Sequence, residues 1–227
     1  MRSNKGFTLV EMAIVLVIIG IILGAVIKGQ DLIINAQAKQ AAAAVSSWRN
    51  LSMAYLDRNG RMPGDASRNG VIGDQTTPTT EQTAAASAIG EITATMQYAP
   101  ANPVTVGGMN FWVYIGNTTV TAGTRNAILI CGDASCANVL SNDQVEIVKS
   151  LDAAFDGVAE AAAGQFRAVT TAPTFDVAAN TAVNTNWVTG VFSAADVVPV
   201  NTTTTGATGT AWAITHRAAV WLFDRTF

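Results

Sequence analysis

Residues 7–27 read FTLVEMAIVLVIIGIILGAVI, and this stretch determines how the rest of the chain is interpreted. Glu11 is its only charged residue, while Arg2 and Lys5 precede the stretch and Lys28 follows it. About 20 apolar residues, at roughly 1.5 Å each along a helix, span the hydrocarbon core of a bilayer. The stretch therefore predicts a transmembrane helix.

A secretory signal peptide is the alternative for such a segment. It requires a shorter apolar stretch of about 7 to 15 residues, closed by a cleavage site of small residues. No such site follows Ile27. The cations Arg2 and Lys5 place the N-terminus in the cytoplasm, because positive charge is retained on that side of the membrane. The residues after Lys28 are therefore expected across the membrane, in an oxidising compartment.

Glu11 needs a partner within this apolar segment. A carboxylate near the interior of a bilayer costs on the order of 3 kcal/mol or more when it is unpaired. Cleavage of the chain after Gly6 would leave a free amine on Phe7, about one helical turn from Glu11. That amine, or the same group of a neighbouring chain, carries the charge that Glu11 requires.

The stretch KGFTLVEMAIVLVIIGIILG, residues 5–24, closely resembles the N-terminal signature of type IV pilins and of the pseudopilins of type II secretion and DNA-uptake systems. The resemblance implies that a membrane prepilin peptidase cuts after Gly6 and methylates the new N-terminal residue, Phe7. It also implies that Glu11 neutralises the N-terminal amine of a neighbouring subunit during assembly. A plain single-pass membrane anchor is the alternative.

Two glycines interrupt the apolar helix. Gly20 and Gly24 form a G-x-x-x-G pattern on one face, which lets two helices approach closely in lipid. Glycine in a helix interior also costs about 1 kcal/mol relative to alanine, so the pair alternatively marks a point where the helix loosens. Many pilins carry a kinking proline several residues later, whereas this chain has Lys28 and no proline before Pro63. A continuous or glycine-loosened helix is therefore expected.

The helix is expected to continue from Phe7 to about Arg58. Residues 29–59 contain strong helix formers and apolar residues spaced three and four apart, and Asn59-Gly60 is suited to a left-handed C-cap. The predicted apolar stripe comprises Ala41, Val45, Trp48, Leu51 and Tyr55. The predicted domains are a leader peptide 1–6, a transmembrane and assembly helix 7–28, an amphipathic half 29–59, and a globular head 60–227.

The pattern of the head predicts the α+β class, with the long N-terminal helix packed on an antiparallel sheet. A Ser-x-x-Gln capping box at Ser141 and apolar residues at helical spacing predict a helix over 141–155. Short β-branched or aromatic runs predict strands. These strands are expected at residues 111–115, 127–131, 165–170, 187–192 and 211–223.

Two segments of the head resemble segments of many prepilin-like proteins. The first is YLDRNGRMPGD, residues 55–65, which has Met62 where leucine is usual. The second is SLDAAFDGVAEAAAGQFRAV, residues 150–169, in which Asp156-Gly157 is expected to form a turn and Gly164 to open a strand before Arg167.

Cys131 and Cys136 enclose the sequence CGDASC. In an oxidising compartment a disulfide is the expected state of this pair, and the spacing is not that of a C-x-x-C redox site. Because the closed loop is short, the bond should stabilise the head by less than the roughly 3 kcal/mol typical of a 15-residue loop.

A calcium site is one hypothesis for the loop after the long helix. Asp65, Asn69 and Asp74 offer oxygen ligands there, among turn-forming glycines. The spacing is not that of an EF-hand, and short Asp and Asn side chains are also favoured in turns because they bond to their own backbone. No other cofactor is expected.

Composition argues against several functions. The net charge of −3 becomes −5 when removal of residues 1–6 takes away Arg2 and Lys5, two positive charges, so nucleic acid is not an expected partner. His216 is the single histidine, and it is expected at the core edge or surface. The sequence does not assemble a nucleophile, a base and an orienting group into an enzyme site, so an enzyme is not expected.

Two Thr-rich stretches, 76–86 and 201–210, are expected to be exposed loops, with O-linked sugars as an alternative use.

The resemblance implies a structural subunit of a type IV pilus or pilus-like filament, with roles in adhesion, motility or secretion. A minor pilin or pseudopilin of a type II secretion or DNA-uptake system, acting at the tip or in initiation, is the alternative. The implied partners are further copies of the chain in a helical homopolymer, prepilin peptidase, and an inner-membrane assembly platform with its cytoplasmic ATPase. The expected location is the inner membrane with a periplasmic head, and later an extracellular pilus or a periplasmic pseudopilus.

Overall fold

The computed structural model describes residues 7–72, 88–120, 123–162, 164–169, 191–192 and 211–223. Its helices are α1 (Leu9–Asn59), α2 (Ala88–Thr95) and α3 (Asn142–Asp156). Its strands are β1 (Val104–Val106), β2 (Met109–Val120), β3 (Gly123–Cys131), β4 (Phe166–Val169), β5 (Val191–Phe192) and β6 (Ala218–Leu222). The chain divides into two compact units, Met1–Ala36 and Gln37–Phe227. The four domains expected from the sequence stay a prediction.

The second unit is built on a sheet with the strand order β1-β2-β3-β6-β4, in which every neighbouring pair is antiparallel. The two residues of β5 pair in parallel with Asn117 and Thr118 of β2. β1 and β2 are joined by Gly107 and Gly108, with φ of 58° and 82°, values that suit a tight hairpin because glycine has no Cβ. The predicted α+β class is confirmed.

The core of this unit lies between the second half of α1, helix α3 and one face of the sheet. Ala41, Val45, Trp48 and Tyr55 of the predicted stripe are buried, and Leu51 is half-buried. α1 ends at Asn59, where the Gly60 N–H donates to the Leu56 carbonyl at 2.8 Å with φ of 66°. The predicted helix length and C-cap are confirmed. The other main contributors to this core are Val113, Ile115, Ile128, Ile130, Val145, Val148, Leu151 and Phe166.

Helix α3 has both of its predicted ends. The Gln144 N–H donates to Ser141 Oγ at 3.2 Å, and the Ser141 N–H donates to Gln144 Oε1 at 2.9 Å, which is a complete capping box. Gly157 closes the helix in the left-handed conformation, with φ of 84°. The local sequence alone therefore sets where this helix begins and ends.

The C-terminal strand is shorter than expected. β6 covers Ala218–Leu222, whereas residues 211–217 form a turn in which the His216 N–H donates to the Ala213 carbonyl at 3.0 Å. Placing His216 in a strand was therefore wrong, and the side chain is more deeply buried than expected, with 4% of its surface exposed. The indole N–H of Trp212 donates to Asp152 of α3 at 2.8 Å, an interaction that holds this segment against a helix and away from a strand partner.

Two elements were missed, and two predicted strands can be compared only in part. α2 and β1 are too short to give a periodic signal, with 8 and 3 residues. Of the strand predicted over 187–192, residues 187–190 lie outside the described residues, as does residue 170 of the strand predicted over 165–170. Residues 76–86 and 201–210, the two Thr-rich stretches, lie outside them as well.

An ion pair anchors α2 to the loop after α1. The Arg61 guanidinium donates to both oxygens of Glu91, at 2.7 and 2.8 Å, and the Gly64 N–H donates to Glu91 Oε2 at 2.8 Å. Burial acts to raise the pKa of Glu91, but the hydrogen bonds from Arg61 and Gly64 outweigh it, and the pKa is lowered. The carboxylate is therefore held in its charged form.

Two buried asparagines hold the same loop on the sheet. Asn117 and Asn126 are partners across β2 and β3. Asn126 accepts from the Ile72 N–H and donates to the Gly70 carbonyl, both at 2.8 Å, while Asn117 donates to the Ile72 carbonyl at 2.6 Å. The loop backbone therefore gains the partners that buried polar groups require.

The outer edge of β4 is covered by the segment that follows α3. The Phe166 N–H donates to Asp156 Oδ2 at 2.7 Å, and the Ala168 N–H donates to the Ala161 carbonyl at 2.7 Å. Gly164, with φ of 75°, lies so close to the Asp156 carboxylate that a Cβ would collide with it. The strand opening predicted at Gly164 is confirmed, and the N–H groups of Phe166 and Ala168 are already paired.

Asp152 is a buried acid in the same region. Its side chain is fully buried and accepts the Trp212 indole N–H at 2.8 Å. Burial raises the pKa of Asp152 to about 7, the bond from Trp212 opposes this, and the charges of Asp156 and Glu160 add to the rise. The folded chain therefore keeps a proton that the unfolded chain releases near pH 4.

Stability should consequently fall as the pH rises from 4 to 7, because the unfolded state loses its proton first. Asp152→Asn keeps an oxygen acceptor for Trp212 but does not titrate. We expect wild-type stability to drop by about 2 kcal/mol between pH 5 and pH 8 through this group, and the variant to lack that drop. Urea unfolding followed by tryptophan fluorescence measures both. Asp57→Asn, at an exposed position, should behave as wild type, and an unchanged pH profile in Asp152→Asn would contradict the assignment.

Candidate assembly site at the N-terminus of α1

The first turn of α1 is closed by a capping box. Thr8 directly precedes the helix, and its Oγ1 accepts from the Glu11 N–H at 3.3 Å. In return, Glu11 Oε2 accepts from the Thr8 N–H at 2.8 Å and from Thr8 Oγ1 at 2.9 Å. The T-x-x-E spacing is the sequence signal for this arrangement, and sequence reasoning missed it.

The capping box gives Glu11 a partner that the sequence analysis did not consider. The partner is the backbone and hydroxyl of Thr8, three residues away, and the Phe7 amine exists only after cleavage. Gly6 lies outside the described residues, so the structure places Phe7 and Glu11 but not the predicted cleavage point. Within the described part of the chain, Glu11 Oε1 accepts no hydrogen bond.

No described residue of the chain covers the apolar residues that follow Glu11. This part of α1 is long and apolar enough to cross a membrane, and none of it is buried. Phe7 is 79% exposed. Large apolar side chains lie uncovered around the whole helix, including Leu9, Leu16, Ile18, Ile21, Leu23 and Ile27. Because such a surface is unfavourable in water, lipid or other protein chains must supply the cover.

Gly20 and Gly24 lie one turn apart on the same face of α1. A Cβ added at either position would meet nothing within 4 Å, so no contact inside the chain requires glycine there. α1 runs through both glycines without a break, which agrees with the continuous alternative. Lys28, where many pilins have proline, lies 3.9 Å from Asp31 in an exposed ion pair that contributes little.

Residues 1–27 match the family model of the prokaryotic N-terminal methylation motif. This motif is the signature of type IV pilins and pseudopilins. Comparison with curated proteins and with solved structures finds no match. The motif indicates a type IV pilin-like or pseudopilin precursor, a structural class and not an enzyme class. It implies processing by prepilin peptidase and pilus assembly, and with the apolar helix it fits a membrane-anchored precursor.

The chain contains the predicted disulfide between Cys131 and Cys136, whose Cα atoms are 5.2 Å apart. Asp133 organises the loop between them, because its carboxylate accepts from the Ser135 N–H at 2.7 Å and from the Asn138 N–H at 2.9 Å. These bonds lower the pKa of Asp133 although burial acts to raise it. The Tyr114 hydroxyl also donates to the Ala134 carbonyl at 3.0 Å.

The calcium candidates are only partly placed. Asp65 is buried and accepts from the N–H groups of Asn69 and Gly70 and from Ser67 Oγ, at 3.2, 2.9 and 3.1 Å. Its carboxylate therefore closes its own loop. Asp74 lies outside the described residues. Among the residues that are described, no group of three or more His, Cys, Asp or Glu side chains could hold a metal ion.

The hydroxyl of Thr8 should protect the first turn of α1 from opening. Thr8→Ala removes the N-cap acceptor, which typically costs about 1 kcal/mol. We expect amide exchange at Glu11 to accelerate about fivefold in detergent micelles, measured by NMR on the full chain. Thr8→Ser keeps the hydroxyl and should exchange as wild type. Equal rates in Thr8→Ala and wild type would show that the capping box is not populated.

Proposed function

We propose that the chain is a structural subunit of a type IV pilus or pilus-like filament, processed by prepilin peptidase and polymerised through its N-terminal helix. The observation that supports this best is an apolar helix surface, uncovered within the chain, that contains a single carboxylate close to a predicted new N-terminus. The methylation motif over residues 1–27 supports the same conclusion.

The first step is hydrolysis of the Gly6–Phe7 peptide bond, which turns the amide nitrogen of Phe7 into an amine that is cationic at neutral pH. Methylation of this amine keeps its positive charge. The processed helix then stays in the inner membrane with its head in the periplasm. The membrane covers the apolar surface until neighbouring helices replace it. The work of extraction comes from a separate assembly platform and its ATPase, since the sequence contains no G-x-x-x-x-G-K-[ST] nucleotide loop.

Glu11 is the group that recognises the neighbouring subunit. One carboxylate oxygen, Oε2, is bound by Thr8, and this bond orients the side chain at the start of the helix. The other oxygen, Oε1, is left for the methylated amine of an adjacent Phe7. An ion pair in so apolar a setting is favourable only with good geometry and further hydrogen bonds. The capping box orients the Glu11 carboxylate and gives it two hydrogen bonds from Thr8.

The two glycines suit the same role. Because nothing in the described part of the chain approaches them, Gly20 and Gly24 leave a shallow strip on which a neighbouring helix can pack closely. This use of the strip does not require a kink, in keeping with the uninterrupted helix and the absence of proline before Pro63.

Processing at Gly6 provides the first test. In filaments sheared from native cells, mass spectrometry should find an abundant chain whose first peptide begins at N-methylated Phe7. A processed chain that is scarce in filaments and stays in the envelope would instead indicate a minor pilin or pseudopilin. An intact Met1 terminus would contradict the proposal and leave a membrane-anchored domain.

The charge of Glu11 provides the second test. Glu11→Gln keeps the size of the side chain and an oxygen acceptor for Thr8, but it removes the charge that attracts the amine. We expect normal cleavage and a filament yield at least about tenfold lower, because an unpaired ammonium is costly in an apolar core.

Asp31→Asn is the matched control, since Asp31 is an exposed carboxylate of the same helix whose nearest cation is Lys28. It should assemble as wild type. Filament yield is measured by shearing and immunoblotting, with processing followed by mass spectrometry. Normal filaments from Glu11→Gln would show that charge pairing does not drive assembly.

A further inference from the structure

Both sulfurs of the disulfide are sealed inside the folded head. Cys131 and Cys136 are fully buried, and they pack with the apolar residues on the face of the sheet opposite the α1 core. These neighbours include Leu129 of β3 and Val220 and Leu222 of β6. Thiol–disulfide exchange requires an attacking thiolate to reach one sulfur directly, so the folded head blocks the reaction.

The position of Cys131 in the sheet shows what must open for access. Cys131 pairs with Trp112 of β2 on one side and with Ala218 of β6 on the other. β6 follows the cysteines by a long stretch of chain and is the last of the described strands in sequence. Until β6 is placed, one side of Cys131 and part of its apolar cover are missing.

The loop that brings the two sulfurs together depends much less on the rest of the fold. Asp133 binds the Ser135 and Asn138 N–H groups, and the Cys136 N–H donates to the Asp133 carbonyl at 3.3 Å. Each of these bonds lies within the segment 133–138. The turn can therefore form, and hold the thiols near each other, while the sheet is still incomplete.

We infer that the Cys131–Cys136 disulfide is made before β6 joins the sheet, and that completion of the sheet then locks it in. The head is thus a substrate for a protein thiol–disulfide oxidant only while it is unfolded. This inference rests on the buried disulfide and not on the proposed filament function.

The reaction balances as an ordinary disulfide exchange. A thiolate of one cysteine attacks a sulfur of the oxidant's disulfide, and the oxidant's other sulfur leaves as a thiolate. The second cysteine thiolate then attacks the chain's own sulfur in the mixed disulfide, which forms the Cys131–Cys136 bond and releases the oxidant's remaining sulfur as a thiolate. The chain loses two electrons and two protons, and the oxidant ends as a dithiol.

The full chain in non-ionic detergent allows a direct test. The oxidised protein is incubated with dithiothreitol, with and without urea at an unfolding concentration, and free thiols are counted by alkylation and mass spectrometry. We expect reduction to be about a thousandfold or more slower without urea, because the open state of a stable domain is populated at that level or below. Comparable rates in the two conditions would overturn the inference.

Two variants identify the part that opens. Leu222→Ala weakens β6 on the face that covers the sulfurs, and we expect native-state reduction to speed up by roughly thirtyfold or more, as expected from a buried Leu→Ala change. Leu151→Ala makes the same change in α3 on the other face of the sheet, and it should speed reduction less. A larger effect from Leu151→Ala would assign the opening to the α3 side and contradict the role of β6.

Oxidation in the forward direction completes the test. The reduced chain, refolded by removal of urea, should form the bond with glutathione disulfide far more slowly than the reduced chain kept in urea. Equal rates would overturn the proposed order of events. If the reduced chain does not refold, the reduction experiment still decides the matter, since it begins from the folded, oxidised protein.

Discussion

Burial of the apolar stripe of α1 against one face of the sheet is the interaction on which the head depends. Trp48 is fully enclosed there, and Val45 and Ala41 lie about one and two turns before it on the same face of the helix. The same helix begins with a segment that is apolar on every side and touches nothing in its own unit. One continuous helix therefore changes character along its length. Its surface is apolar on every side at the start and carries a single apolar stripe in its second half.

Where short-range chemistry determines a structure, the sequence was enough to predict it. The ends of α3 follow from Ser141, Gln144 and Gly157, and the end of α1 follows from Asn59-Gly60, because caps involve only near neighbours. The strands over 111–115 and 127–131 were recognised from their β-branched and aromatic residues, although each is longer in the structure. The same reasoning failed at residues 211–217, where alternation was present but Trp212 bonds to a helix and not to a strand.

The same contrast between contacts of near neighbours and contacts of distant segments applies to the candidate site. Glu11 was singled out because a lone carboxylate in an apolar run is conspicuous, and Phe7 because the resemblance implies cleavage after Gly6; their role in assembly stays a prediction. The disulfide was predicted because two closely spaced cysteines are expected in an oxidising compartment. The capping box at Thr8 was readable and was overlooked, since attention fell on the charge of Glu11 and not on the helix start. Long-range partnerships gave no signal: the buried acid Asp152 and the contact of Asn126 with Ile72 join segments far apart in the chain.

The covered edge of β4 has a consequence for how heads can sit beside one another. The N–H groups of Phe166 and Ala168 are occupied by Asp156 and Ala161, so a second chain finds no donors there with which to extend the sheet. The head is therefore protected at this edge against the edge-to-edge pairing by which open sheets aggregate.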